Sequence, residues 1–189
     1  MGFVELFLLA VGLSMDAFAV AVCSGLSMPK ANMKKALVIG LYFGVFQAAM
    51  PLIGYFGAAL FASKITSYDH WIAFALLCFL GGKMIVGSFK NEVCPAGEAS
   101  VKPAQMLPLA LATSIDALAV GVSFAFLRID IVTAVSFIGV VTFAISLAGV
   151  KIGNAFGARF KSKAEIAGGA ILILMGLKIL LEHLNIIDF

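Results

Sequence analysis

The sequence predicts an all-α, polytopic membrane protein with six transmembrane helices arranged as two inverted three-helix repeats. Three observations lead to this prediction: the composition, the number of long apolar segments, and an acidic motif that occurs twice. Of the 189 residues, 62% are hydrophobic and 12% are charged, whereas soluble domains average about 45–50% apolar and about 25% charged residues. A soluble domain of this length has too little interior to bury so much apolar surface. We therefore expect the chain to lie in a lipid bilayer.

Six segments are long and apolar enough to cross the hydrocarbon core of a bilayer, which takes about 20 residues. Polar or helix-breaking residues separate them, and the longest interruption runs from Asn91 to Pro103. The predicted spans cover residues 3–26, 35–62, 71–89, 104–127, 131–157 and 164–183. This division predicts a first three-helix repeat at 1–90, a cytoplasmic linker at 91–103 and a second repeat at 104–189.

Lysine and arginine are distributed unequally between the two sets of connections. Eight of them follow spans one, three and five, and two lie on the opposite side. The larger set is Lys30, Lys34, Lys35, Lys90, Lys102, Arg159, Lys161 and Lys163, and the smaller set is Lys64 and Arg128. Because cytoplasmic loops carry the excess of these residues, both termini are expected outside the cell. Three spans in each half also give the halves opposite directions through the membrane, as in many secondary transporters.

The motif Ser14-Met15-Asp16-Ala17-Phe18-Ala19-Val20 is repeated at 114–120, with five of the seven positions identical. An aspartate inside a membrane span is costly and usually serves an ion or proton path. At about 1.5 Å per residue, Asp16 and Asp116 both come close to the middle of the bilayer. Two carboxylates at that depth repel each other unless a cation or a proton lies between them. The repeated motif therefore predicts a cation site that the two halves share.

Further oxygen ligands are available near the two aspartates, and hard divalent cations such as Mg²⁺, Ca²⁺ and Mn²⁺ prefer oxygen. Ser14, Thr113 and Ser114 lie within one helical turn of an aspartate. The alternative is that these hydroxyls bond to carbonyls of their own helices, as serine and threonine often do. Met15 is a candidate because it adjoins Asp16, although methionine in a membrane core usually fills space.

Gln47 and Pro51 form another candidate element in the second span. Proline has no N–H, so the carbonyl four residues earlier, that of Gln47, loses its helical partner. Gln47 could therefore offer an amide and a free carbonyl to the site; the alternative is a packing kink in which Gln47 bonds to a neighbouring helix. Lys83 and Lys178 occur at matched places in spans three and six, which leaves a structural ion pair or a proton-coupled role open.

Several function classes are disfavoured by what the sequence lacks. No Ser/His/Asp set, HExxH helix or GxxxxGK[ST] loop is present, so neither an enzyme nor an ATP-driven pump is expected. No basic stripe with interleaved aromatic residues suggests a nucleic-acid partner. The unrelated spacings of Cys23, Cys78 and Cys94 predict reduced thiols rather than a disulfide framework. The expected partners are a divalent metal ion and the lipid bilayer, and the sequence leaves a homo-oligomer open.

Over essentially its whole length the chain resembles the MntP family of bacterial manganese efflux pumps, which is related to the wider LysE exporter group. The matching segments are residues 14–19, 40–44, 51–54, 70–74, 79–85, 112–117 and 163–166, with Gly168-Gly169. The resemblance implies export of Mn²⁺ from the cytoplasm across the inner membrane, with Mn²⁺ as substrate and no cofactor. It also implies that Asp16 and Asp116 are the core ligands. Gln47 departs from the pattern, because some relatives carry an acid at this position. The resemblance therefore leaves open whether the site holds a third negative charge.

Two other transported substrates remain compatible with the sequence. One is a different divalent cation, such as Cd²⁺. The other is a cationic amino acid, by analogy with the wider exporter group. The amino acid is disfavoured because its carboxylate needs a cationic partner, and no arginine lies within the predicted spans.

Overall fold

The computed structural model describes residues 2–28, 32–62, 69–89, 101–127, 129–156 and 161–183. These residues form seven α-helices and no β-strand. The helices are α1 (Phe3–Leu13), α2 (Met15–Leu26), α3 (Met33–Ala62), α4 (Asp69–Ser88), α5 (Pro103–Phe126), α6 (Ile131–Phe156) and α7 (Lys161–His183). The all-α prediction is confirmed, and each helix falls on a predicted span. The predicted linker lies almost entirely outside the described residues.

The first predicted span differs from the expectation of one continuous helix. It is divided at Ser14 into α1 and α2, which meet at an angle of 43°. The backbone N–H of Ser14 is shared between the carbonyls of Ala10 (3.0 Å) and Val11 (3.1 Å), so the last turn of α1 is tightened. Small residues such as Gly12 and Ser14 are common at helix kinks. The break places Asp16 in the first turn of α2, where the helix dipole favours a negative charge.

The exposed surface of the helices is that of a membrane protein. In the described part of the chain, α3, α5 and α6 are each long and apolar enough to cross a bilayer, and the bent pair of α1 and α2 gives a fourth if it is counted as one span. Shorter apolar stretches lie in α4 (Phe74–Gly87) and α7 (Ile166–Leu181). Large apolar side chains such as Leu41, Phe56 and Val140 are exposed. An extensive apolar surface of this kind is stable against lipid and not against water.

The helices of the two predicted halves interleave. Helix α3 packs against α5 and α6, α2 packs against α6, and α4 packs against α7. Helix α1 contacts α6 and α7. Among the described residues, the main contacts therefore join helices from different halves, and helices of the same half touch each other little. The interior that holds the candidate site is built jointly by both halves.

Glycines allow two of these helix pairs to touch through their backbones. A Cβ atom at any of four glycines would lie only 2.0–2.1 Å from a carbonyl oxygen of the facing helix. These are Gly25 and Gly153 in the α2–α6 pair, and Gly54 and Gly121 in the α3–α5 pair. Small residues allow such close approach in membranes, where packing rather than hydrophobicity holds helices together. The four glycines thus fix the positions of the helices that carry the acidic motifs.

The cysteines differ in part from the sequence prediction. Cys78 in α4 is a free thiol, as expected. Cys23 in α2 is disulfide-bonded, so the prediction of a reduced thiol is wrong at this position. Sequence spacing failed here because it does not reveal which cysteines approach each other in the fold. Cys94 lies outside the described residues.

Candidate functional site

One lysine interacts with the aspartates of both acidic motifs. Asp116 lies within α5, and only 7% of its surface is exposed. The Lys83 ammonium in α4 donates to Asp116 Oδ1 at 3.0 Å and to Asp116 Oδ2 at 3.2 Å. Lys83 also interacts electrostatically with Asp16. The structure therefore brings both predicted carboxylates into the field of a single cationic group.

Asp16 itself is half-buried at the start of α2. The neighbouring Met15 packs against α7, since a Cβ at Gly168 would lie 2.4 Å from Met15 Cγ and 2.9 Å from the terminal methyl of Met84. This contact gives Met15 a packing role that fixes the start of α2 relative to α7. Its prediction as a metal ligand stays a prediction.

Gln47 connects the helix break in the first motif to the second motif. Its side chain is fully buried. Gln47 Nε2 donates to the backbone carbonyl of Leu13 at 2.9 Å, and Ser114 Oγ donates to Gln47 Oε1 at 3.0 Å. Gln47 therefore satisfies a carbonyl at the junction of α1 and α2 while it holds the serine next to Ile115 and Asp116. These bonds agree with the interpretation in which Gln47 bonds to neighbouring helices at a packing kink.

The hydroxyl groups of the motifs are already hydrogen-bonded within the protein. Ser14 Oγ donates to the Ala10 carbonyl at 2.6 Å and lies 2.7 Å from Thr142 Oγ1 in α6. Thr113 Oγ1 bonds to carbonyls of its own helix, at 3.0 and 3.1 Å. Ser14 and Thr113 thus make the local bonds that were the alternative to metal ligation. A hydroxyl that donates still has lone pairs, so their role as ligands stays a prediction.

Two residues of α6 near the first motif were not identified from the sequence. Thr142 contacts Ser14, and Ser146 lies one turn further along the same helix. Both are fully buried, and Ser146 Oγ has no hydrogen-bond partner among the described residues. Serine and threonine are frequent in this helix, and no signal in the sequence separates these two from the others. Their position depends on how α6 packs against α2.

Lys178, which matches Lys83 in the second half, makes a different ion pair. Its ammonium bonds to the Glu5 carboxylate, so it joins α7 to α1. Each of the two lysines therefore pairs with an acid in the first span of the other half. The pairs are not equivalent, because Asp116 belongs to a repeated motif and Glu5 does not. Both lysines therefore form ion pairs in the structure, and the proton-coupled role stays a prediction.

The chemistry of the site follows from these contacts. Within the described ranges, no group of three or more His, Cys, Asp or Glu side chains is placed to hold a metal ion. The site instead offers two carboxylates, neighbouring neutral oxygens and one ammonium.

These features define a class, the helical membrane proteins with buried ionisable side chains that form ion paths. The chain belongs to the MntP family: the family model described as "Putative manganese efflux pump" matches residues 30–180. This confirms the resemblance inferred from the motifs, and with it the prediction that the chain is a transporter and not an enzyme.

Close relatives extend over nearly the whole chain. A protein of Desulfitobacterium hafniense is 60% identical over 185 residues, which cover 98% of this chain and 97% of the relative. One of Acetivibrio thermocellus is 53% identical and covers 100% of this chain and 96% of the relative. One of Campylobacter jejuni is also 53% identical, with 97% and 98% covered. All three carry the name "Putative manganese efflux pump MntP". No solved structure matches the chain.

Proposed function

We propose that this chain is a secondary transporter that exports Mn²⁺ from the cytoplasm across the bacterial inner membrane. Family membership and the names of the relatives support manganese as the substrate. The proposed binding site is supported by the position of Lys83, whose ammonium bonds to Asp116 and interacts electrostatically with Asp16. A place where the protein bonds one cation to a carboxylate, in the electrostatic field of a second, is a place where it can bind another cation.

In this proposal Asp16 and Asp116 together bind one partly dehydrated Mn²⁺. Two carboxylates balance the charge of a divalent cation, and charge balance dominates binding where the dielectric constant is low. Neutral oxygens complete the coordination, because Mn²⁺ accepts carboxylate, carbonyl and water ligands. Among the predicted neutral ligands, Thr113 precedes Asp116 by three residues in α5 and shares its helix face, whereas Ser114 and Gln47 are hydrogen-bonded to each other.

The proposed architecture is a pair of inverted repeats with the site near the middle of the bilayer. The helix pairs support it: α2–α6 and α3–α5 each join the first span of one half to the second span of the other, and α4–α7 joins the third spans. Two halves related by a two-fold axis make contacts of this kind. The excess of lysine and arginine on one side supports an orientation with both termini outside.

The proposal predicts that both aspartates are required for export. Cells that express the chain under excess Mn²⁺ should accumulate less manganese than cells without it. Asp16→Asn and Asp116→Asn should each reduce export by about tenfold or more, because one carboxylate alone holds a divalent ion weakly. The double variant should be little worse than either single one. Elemental analysis of washed cells measures the manganese, and immunoblots of membranes check that each variant is present.

Asp130→Asn is the matched control, since Asp130 is an exposed aspartate outside the helices. It should export manganese at the parental rate. The same cells are challenged with Cd²⁺, Zn²⁺ and Fe²⁺, and release of lysine and arginine is measured. If the cells export Cd²⁺ or an amino acid and not Mn²⁺, the proposal of Mn²⁺ as the substrate is wrong. Parental export by both single variants would show that the aspartates are structural.

A further inference from the structure

We propose that Lys83 is a tethered counter-cation that bonds to Asp116 when no metal is bound and has to leave this carboxylate when Mn²⁺ binds. The inference rests on the proposed function and assigns a role to a residue outside the predicted ligands. Lys83 would determine the affinity of the site and assist release of the metal.

The geometry of the ion pair favours this displacement. The ammonium lies 3.0 and 3.2 Å from the two oxygens of the Asp116 carboxylate, so it occupies the side on which both oxygens can be reached together. A lysine ammonium has three donors and no acceptor, so it contributes no ligand to a metal ion. A divalent cation bound to the same two oxygens would also repel the ammonium at short range.

The charges lead to the same conclusion. Asp16, Asp116 and Lys83 together carry a net charge of minus one when all three are ionised. A divalent cation that joined them would leave an excess positive charge, whereas one that replaced the ammonium would leave the site neutral. Conversely, two carboxylates without any cation would repel each other and would be poorly solvated. Lys83 thus stabilises the empty site, and its return competes with the metal.

The surroundings of Lys83 allow it to move without a change in helix packing. The Lys83 side chain is 53% exposed, whereas that of Asp116 is 9% exposed. At the adjacent Gly82, a Cβ atom would meet no described atom within 4 Å, in contrast to Gly81, which touches α7. More than half of the Lys83 side chain therefore lies outside the contacts between helices. Its flexible four-carbon stem can swing away by rotation about side-chain bonds.

The test measures Mn²⁺ affinity and Mn²⁺ export separately for Lys83→Met. Equilibrium binding of Mn²⁺ is measured with the protein in lipid nanodiscs, and export is measured in proteoliposomes. Without its competitor, Mn²⁺ should bind about tenfold more tightly or better, while export slows several-fold because release is no longer assisted. A residue needed only for folding would weaken binding and export together.

Two further variants make the result specific. Lys83→Arg should bind Mn²⁺ more weakly than the parent, since a guanidinium bonds to a carboxylate with two parallel N–H groups and holds it more firmly. Lys178→Met breaks the comparable ion pair with Glu5 and should leave the affinity within about twofold of the parent, because Glu5 lies outside both motifs.

The outcomes separate this inference from the proposed function. Parental or weaker binding by Lys83→Met would overturn the inference, as would an equal gain of affinity in Lys178→Met. If Lys83→Met does not fold, Lys83→Arg decides: weaker binding supports the inference, and equal or tighter binding overturns it. A parent protein that neither binds nor exports Mn²⁺ overturns the proposed function as well.

Discussion

Gln47 shows at the scale of one residue how the two acidic motifs depend on each other. Both ends of its amide are used, one by the Leu13 carbonyl at the helix break and one by the Ser114 hydroxyl. A carbonyl and a hydroxyl buried among apolar side chains need such partners, since an unsatisfied polar group in the interior is costly. The kink in the first motif is therefore stabilised by a side chain that also contacts the second.

Replacement of Gln47 by leucine should destabilise the protein and reduce export. Leucine preserves much of the volume but leaves the Leu13 carbonyl and the Ser114 hydroxyl without a partner, at a cost of about 1–3 kcal/mol for each buried group. We expect the apparent melting temperature in detergent to fall by several degrees, measured by thermal unfolding. The control is Gln105→Leu, because Gln105 is exposed in the first turn of α5. Equal melting temperatures for the two variants would contradict this structural role.

At the scale of the helices, the length of an apolar segment predicts where a helix lies. It does not predict whether the backbone of that helix is continuous. Hydropathy located every helix, because burial in lipid demands long apolar segments. The break at Ser14 is not predictable from the sequence, because the first span contains no proline that would force it. It depends on Gln47 and Thr142, which are distant in sequence and supply hydrogen bonds there.

The candidate site was predictable to a similar extent. The repetition of the motif identified Asp16 and Asp116, because intramembrane acids are rare enough to be recognised. The partner of Lys83 was not predictable, since it lies 33 residues away in the other half. The contacts of Thr142 and Ser146 also depend on tertiary packing. The sequence thus indicates the two aspartates and the neutral groups close to them along the chain, but not the hydroxyls that α6 brings to the site.

The two motifs also differ in backbone although their sequences are alike. Asp16 follows a helix break and is half-buried, whereas Asp116 lies inside the continuous helix α5 and is buried. The positive end of the α2 dipole can stabilise the Asp16 carboxylate, whereas Asp116 forms a direct ion pair with Lys83. The same seven-residue pattern therefore supplies two carboxylates with different means of stabilisation.

The close helix crossings give a prediction for helix packing. In Gly54→Ala, the new Cβ would lie 2.1 Å from the Leu118 carbonyl oxygen, so α3 and α5 would have to separate. Overpacking of this kind typically costs about 1–3 kcal/mol. We expect a lower melting temperature and reduced manganese export, measured by thermal unfolding and by elemental analysis of cells.

Gly57→Ala provides the control on the same helix. A Cβ at Gly57 meets no described atom within 4 Å, and alanine has a higher helix propensity than glycine by about 1 kcal/mol. This variant should therefore be as stable as the parent or slightly more stable. Similar losses in both variants would show that the effect comes from the glycines themselves and not from the crossing with α5.

At the scale of the whole molecule, the inverted-repeat proposal predicts where the termini lie. Eight cationic residues on one side against two on the other favour a cytoplasmic location for the connections after spans one, three and five. Short epitope tags at either end of the chain should be labelled from outside intact cells. The same tag inserted at Gly97 should be labelled only after the cells are permeabilised. Labelling of either terminus only after permeabilisation would rule out this topology.

The interleaving of the two halves also constrains how the protein is made. Helices enter the membrane one by one before they associate, and α1, α2 and α3 touch each other little among the described residues. During synthesis, the first half is therefore in the bilayer before the helices that pack against its glycines, α5 and α6, have been made. A chain that stops before α5 would be inserted but would have almost nothing to pack against. Assembly of the transporter is thus a late event, completed when the ribosome delivers the second half.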